Sequence, residues 1–237
     1  MKKSQAWLFL YNLVLVGDVT GIASGIDYLH VFCKPLLMPI LIWGIYSKRK
    51  EIAATPWPFI TAGLFFSWAG DLFLLYEARN ANFFIGGLAS FLLAHICYII
   101  YYFKIGASIT STLKKHPLWV MIAIAYSVAL VVLLFPKLGS LLIPVIAYAT
   151  ILAIMLIGSI AAIPAVSKKA SVLFVTGAMA FVASDSLLAI NKFYQPFAMA
   201  GVLIMITYGV AQLLITRGTL ANKKVSGFKD QDVRRQN

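Results

Sequence analysis

Runs of roughly twenty mostly apolar residues follow one another along almost the whole chain, at residues 5–24, 29–46, 57–76, 82–103, 117–135, 140–163, 171–190 and 197–217. A soluble fold has no interior large enough to hide all of them. In a bilayer each run is about the length of one membrane-crossing helix, and a helix satisfies its own backbone hydrogen bonds where water is absent. The reading is an all-α integral membrane bundle of eight transmembrane helices. It forms a single domain over residues 1–217, followed by a polar, basic tail over 218–237. With 61% hydrophobic residues, 12% charged residues and a mean hydropathy of +0.88, no stretch is left over for a soluble domain. Pro58, Pro117 and Pro196 stand where helices start.

Charge orients the bundle. The formal net charge of +12 would point to nucleic acid in a soluble protein. Here the basic residues sit in short segments between apolar runs, so no nucleic-acid partner is expected. Placing the N-terminus, the loops 47–56, 104–116 and 164–170, and the C-terminal tail on one side collects sixteen basic residues there. The other side receives Arg79, Lys137 and Lys192, and Lys34 remains inside a span. By the positive-inside rule both termini are cytoplasmic, as an even number of spans requires, and a bacterial inner membrane is the expected location. Met1–Val16 has the look of a signal peptide, but no Ala-x-Ala site follows it, so an uncleaved first helix is expected. Cys33 and Cys97 fall in separate spans and read as buried thiols rather than a disulfide framework.

The two halves resemble each other. A shift of 114 residues superposes Gly44 on Gly158, Gly63 on Gly177, Asp71 on Asp185 and Gly87 on Gly201 without a gap. Duplication of a four-helix unit accounts for this, with parallel repeats over about residues 1–110 and 111–217. Asp71 and Asp185 are then symmetry mates at a common interface, where repeat-built membrane proteins often bind ligands.

Lys34, Asp71 and Asp185 carry the chemistry. Each lies about five residues inside the same end of its span, which at about 1.5 Å per residue puts all three in one layer, roughly 7–8 Å deep. A lone charge there costs about 2.5–3.5 kcal/mol, so these side chains face the bundle interior and pair, or line a hydrated cavity. A buried ion pair that only fixes packing is the structural alternative. Two carboxylates with one lysine exceed what neutralisation needs. Like charges sharing a site do not both ionise freely, which would set an acid beside a base.

Further polar residues are candidates for binding or orienting a substrate. His95 and Tyr98 share one helical face, as do Tyr208 and Gln212. Tyr148 is the mate of Lys34 under the 114-residue shift, and Ser184 precedes Asp185. Each is equally at home as an interhelical hydrogen-bonding group. His30, His95 and His116 lack metal-ligand spacing, so no metal is expected. Nucleotide and phosphate fingerprints are absent from the sequence, so no cofactor is expected either.

Several of these residues sit in recognisable surroundings: Lys34-Pro35-Leu36-Leu37-Met38-Pro39, the Gly70-Asp71 pair, GLASFLLAHICY from Gly87 to Tyr98, Ser184-Asp185-Ser186-Leu187-Leu188, and YGVAQLLI from Tyr208 to Ile215. Together, in this order, they resemble the YhhN family, which includes transmembrane protein 86 and the lysoplasmalogenases. Gly17–Tyr28 and the basic tail fall outside the pattern. The resemblance implies hydrolysis of the vinyl-ether bond of a lysoplasmalogen to a fatty aldehyde and a glycerophospho-base. The implied partners are a lysophospholipid substrate and membrane lipid. Protonation of the alkenyl carbon gives an oxocarbenium ion that water traps, so paired carboxylates suit the reaction as they suit glycosidases. Asp71 and Asp185 are the expected catalytic pair, with either able to be the acid. A proton-coupled transporter or lipid carrier using the same carboxylates is the rival expectation.

Overall fold

The computed structural model describes residues 6–115 and 117–222, and every long element among them is helical. Helices α1 (Ala6–Ser24), α2 (Asp27–Ser47), α3 (Trp57–Leu75) and α4 (Ala81–Lys104) form the first half. A short helix α5 (Ile109–Lys115) leads to α6 (Pro117–Leu138), α7 (Leu142–Ala161), α8 (Lys168–Ala189) and α9 (Ala200–Ala221). The basic tail expected over 218–237 lies, from Lys223 onward, outside the described residues, and α9 runs on to Ala221.

Among the described residues seven stretches are long and apolar enough to cross a membrane, and this is a multi-pass membrane protein. One of the seven, Pro117–Ala161, is 45 residues long. It breaks at Gly139, whose φ of +50° suits a residue without a Cβ, and folds back as the α6–α7 hairpin. Leu134 and Leu138 meet Val145 beside the turn, while Val120 and Ala123 meet Ile157 at the far end. Counting that hairpin as two crossings gives the eight long helices read from the sequence.

The first helix ends where the sequence places it, at Ser24, and turns into α2 within Gly25 and Ile26. Gly21 makes this possible, since a Cβ there would lie 2.8 Å from the backbone nitrogen of His30. Pro196 does not open the last helix. After α8 a π-helical turn carries Ile190–Tyr194, the Phe197 N–H donates to Asn191 Oδ1, and Met199 turns left-handed at φ 62° before α9 begins.

The core is aromatic and lies between the halves, where Tyr98, Tyr101, Tyr102, Phe174 and Phe181 are fully buried. Glycines make room for the rings: Gly63 lies under Tyr98, and Gly70 under Phe91. Proline has a positive use in α2. Pro39 has no N–H to give to the carbonyl four residues earlier, and that carbonyl, of Pro35, accepts the Trp68 indole N–H at 3.0 Å instead. The missing backbone bond becomes a tie between α2 and α3.

Candidate functional site

The predicted residues assemble as two clusters around two separate carboxylates. Asp71, on α3 and 2% exposed, accepts the Tyr208 hydroxyl of α9 at 2.8 Å through Oδ2. Lys34, on α2 and 8% exposed, faces Asp71 through space and forms no ion pair within 4.0 Å of it. Asp185, on α8, accepts the Tyr148 hydroxyl of α7 at 2.7 Å, and His95 Nε2 of α4 lies 3.6 Å from the same oxygen, Oδ2. Tyr148 thus serves Asp185 from the position that Lys34 holds toward Asp71 under the 114-residue shift.

His95 is fully buried, and neither ring nitrogen has a partner in hydrogen-bond geometry; the ring approaches the Phe91 carbonyl without meeting it. Phe181 holds it edge-on, with centroids 4.6 Å apart, and also packs on Tyr208 at 5.7 Å. One aromatic ring therefore stands between the partner of Asp71 and the partner of Asp185. The two carboxylates are not bonded to each other, so each has its own surroundings rather than a shared proton.

The remaining candidates are occupied with packing. Tyr98 donates to Gln212 Oε1 at 2.7 Å, and Gln212 Nε2 donates to Ser67 Oγ at 2.9 Å, a buried chain that joins α4, α9 and α3. Ser184 donates to the Ile204 carbonyl at 3.1 Å and ties α8 to α9. Buried polar groups satisfied in this way specify how helices dock.

Sequence reasoning passed over Asp18, which is fully buried on α1 and lies 2.7 Å from His30 Nδ1 through Oδ1. Its other oxygen has no partner, and its charge is felt at Asp71. The signal was available, because an aspartate inside an apolar run is as costly as Asp71. It was lost by treating Gly17–Tyr28 as outside the pattern. Ser67, Phe181 and Tyr126 were also missed, and nothing in their spacing singles them out.

Open space borders the Asp185 cluster. A groove of about 560 Å³ runs between α6, α7 and α8, walled by Trp119, Tyr126, Leu156, Met179, Val182 and Ala183. It is almost wholly apolar. A narrower cavity of about 40 Å³ adjoins it, sharing Tyr126 and Val182 as walls and bordered by Tyr148, Asp185 and Ser186. The Tyr126 hydroxyl donates to Ser186 Oγ at 2.9 Å across that junction.

The fold and this interior define the class: a helical membrane protein with carboxylates held by tyrosines inside the bundle and one of them bordering a small cavity beside an apolar groove. The family model for the YhhN family matches residues 29–219, and the chain belongs to that family. It is 31% identical over 144 residues to a lysoplasmalogenase of Mycobacterium bovis, an alignment covering 60% of this chain and 53% of that one. The chain thus spans about half the length of this mycobacterial relative. It is 27% identical over 210 residues to lysoplasmalogenase TMEM86A of Homo sapiens, covering 86% of this chain and 80% of that one, and 26% identical to the Bos taurus protein over the same shares. No solved structure matches.

Proposed function

We propose that this protein is a lysoplasmalogenase-like hydrolase that cleaves the vinyl-ether bond of a lysoplasmalogen, releasing a fatty aldehyde and a glycerophospho-base. The observation that carries the reading is the apolar groove sharing its Tyr126 and Val182 walls with the cavity that Asp185 borders, in a chain whose relatives bear the lysoplasmalogenase name. A single hydrocarbon chain lies in the groove between α6, α7 and α8, and the vinyl ether stops beside Asp185. At about 560 Å³ the groove is within the usual range for small-ligand sites.

Asp185 gives its proton to the alkenyl carbon beyond the ether carbon, leaving an oxocarbenium ion. Water adds to that cation and loses a proton to His95, which is 3.6 Å from Asp185 and returns the proton to it. The hemiacetal then collapses to aldehyde and alcohol, so one water is consumed and the protein ends as it began. Tyr148 orients the Asp185 carboxyl. Asp71, held by Tyr208 and faced by Lys34, supplies the fixed negative charge that stabilises the cation across the Phe181 wall. Asp71 and Asp185 therefore both contribute to catalysis, in different ways.

Both termini face the cytoplasm in this reading, and the carboxylate layer is toward the opposite surface. A duplication underlies the two halves, which is supported by helix ranges that correspond under the 114-residue shift and by Tyr98 bonding to Gln212, its own mate.

The test is aldehyde release from a lysoplasmalogen by purified protein, with Asp185→Asn beside it. Release by the native protein and none by the variant supports the hydrolase. No release from folded protein, with counterflow of labelled lysolipid in proteoliposomes, would assign the carboxylates to transport.

A further inference from the structure

A second cavity lies at the basic end of the bundle, far from the carboxylates. It has a volume of about 240 Å³ and is formed where α1 begins, α2 ends, α8 begins and α9 ends. Three cations from three helices line it: Lys48, Lys169 and Arg217. Among the described residues none of them has an ion-pair partner within 4.0 Å. Its floor is Trp7, which is 5% exposed and packs flat on Gly44, where an added Cβ would come within 2.7 Å of the ring. The Trp7 indole N–H is buried and has no acceptor.

These features need an anion together. Basic residues at this end are expected from the positive-inside rule, and by themselves would need no ligand. Convergence of three on one cavity is different, because like charges repel and gain nothing by gathering unless a negative group joins them. Lys169 also belongs to the first turn of α8, whose free N–H groups favour negative charge. Among the described residues this end of the bundle carries one carboxylate, Glu51.

We propose that this cavity binds the phosphate-bearing headgroup of an anionic phospholipid from the leaflet at the basic end. Lys48, Lys169 and Arg217 contact the phosphate, Arg217 offering the paired donors that match its geometry, and the Trp7 ring forms the floor beneath it. Leu173, Leu220 and Ala221 supply an apolar margin for the glycerol and the start of its chains. Clustered basic side chains between membrane helices are a known physical solution to holding such headgroups. The site is distinct from the proposed reaction site: Lys169 and Asp185 are sixteen residues apart on α8, about 24 Å along the helix.

The experiment compares thermal unfolding and lipid retention of purified full-length protein in neutral detergent, with phosphatidylglycerol, phosphatidylcholine or inorganic phosphate added. Phosphatidylglycerol should raise the melting temperature by about 5 °C or more and stay bound in native mass spectrometry. Phosphatidylcholine should do neither. The triple variant Lys48→Gln, Lys169→Gln, Arg217→Gln should lose the shift. An equal change of charge elsewhere at the same end, Lys104→Gln, Lys114→Gln, Lys115→Gln, should keep it. A shift that survives the cavity triple, disappears equally in the control triple, or appears with phosphatidylcholine overturns the site. An equal shift from inorganic phosphate overturns the lipid and leaves a free anion as the occupant.

Discussion

Helices α1, α2 and α3 are closed against one another, whereas α6, α7 and α8, at the corresponding places 114 residues later, are parted by a groove. The difference is written in a few side chains. On α1, Gly17 and Gly21 face α2 so closely that a Cβ would lie 3.0 Å from Cys33 Sγ and 2.8 Å from the His30 nitrogen. On α6 the same positions carry Val131 and Phe135, which have no room in such a seam. Trp68 on α3 is bonded to the Pro35 carbonyl, while its counterpart on α8 is Val182, a groove wall. The earlier helices pack as a scaffold, and the later ones leave an apolar slot beside the small cavity that Asp185 borders.

The sharpest way to break this comparison is to exchange the carboxylates. Asp185→Asn is expected to lower aldehyde release by about 10³-fold with melting temperature nearly unchanged, because it removes the proton donor and leaves the Tyr148 donor an amide oxygen to bond. Asp71→Asn is expected to lower activity and also cost about 3 kcal/mol of stability, since Lys34 is left buried without its counter-charge. Adding Lys34→Met to that variant should restore the melting temperature and not the activity. If instead Asp185→Asn unfolds the protein and Asp71→Asn does not, the halves have been assigned the wrong way round.

Smaller effects sharpen the same contrast. Gly21→Val should cost about 2–3 kcal/mol in thermal unfolding, because the seam has no slack. Phe135→Ala, at the matching site on α6, is 59% exposed and should cost no more than about 0.5 kcal/mol. Val182→Trp puts the bulky residue of the closed half into the groove, and should cut kcat/KM about tenfold while the protein melts as before. Tyr126→Phe removes a single hydroxyl bond at the groove junction, and a change of about 1 kcal/mol or less in binding or stability is expected.

Much of the site could be read without coordinates. A charged residue within an apolar run can only be buried and paired, so Lys34, Asp71 and Asp185 were legible as a set. The argument applies equally to Asp18, and the structure places it, fully buried, beside His30. His95 was legible as a polar group in a span but not as a neighbour of Asp185, since that contact joins α4 to α8 across 90 residues. Tyr98 and Gln212 were legible as polar too, yet only the fold turns them toward each other and Ser67.

By itself, then, the order of residues determined that this chain crosses a membrane as a helical bundle, because apolar length and backbone satisfaction in lipid leave no other solution for it. What only tertiary structure decided was which helices part and which close, and so which carboxylate meets open space. That outcome turns on Cβ atoms and ring faces meeting between helices distant in sequence, where one glycine or valine sets the separation and no local pattern records it.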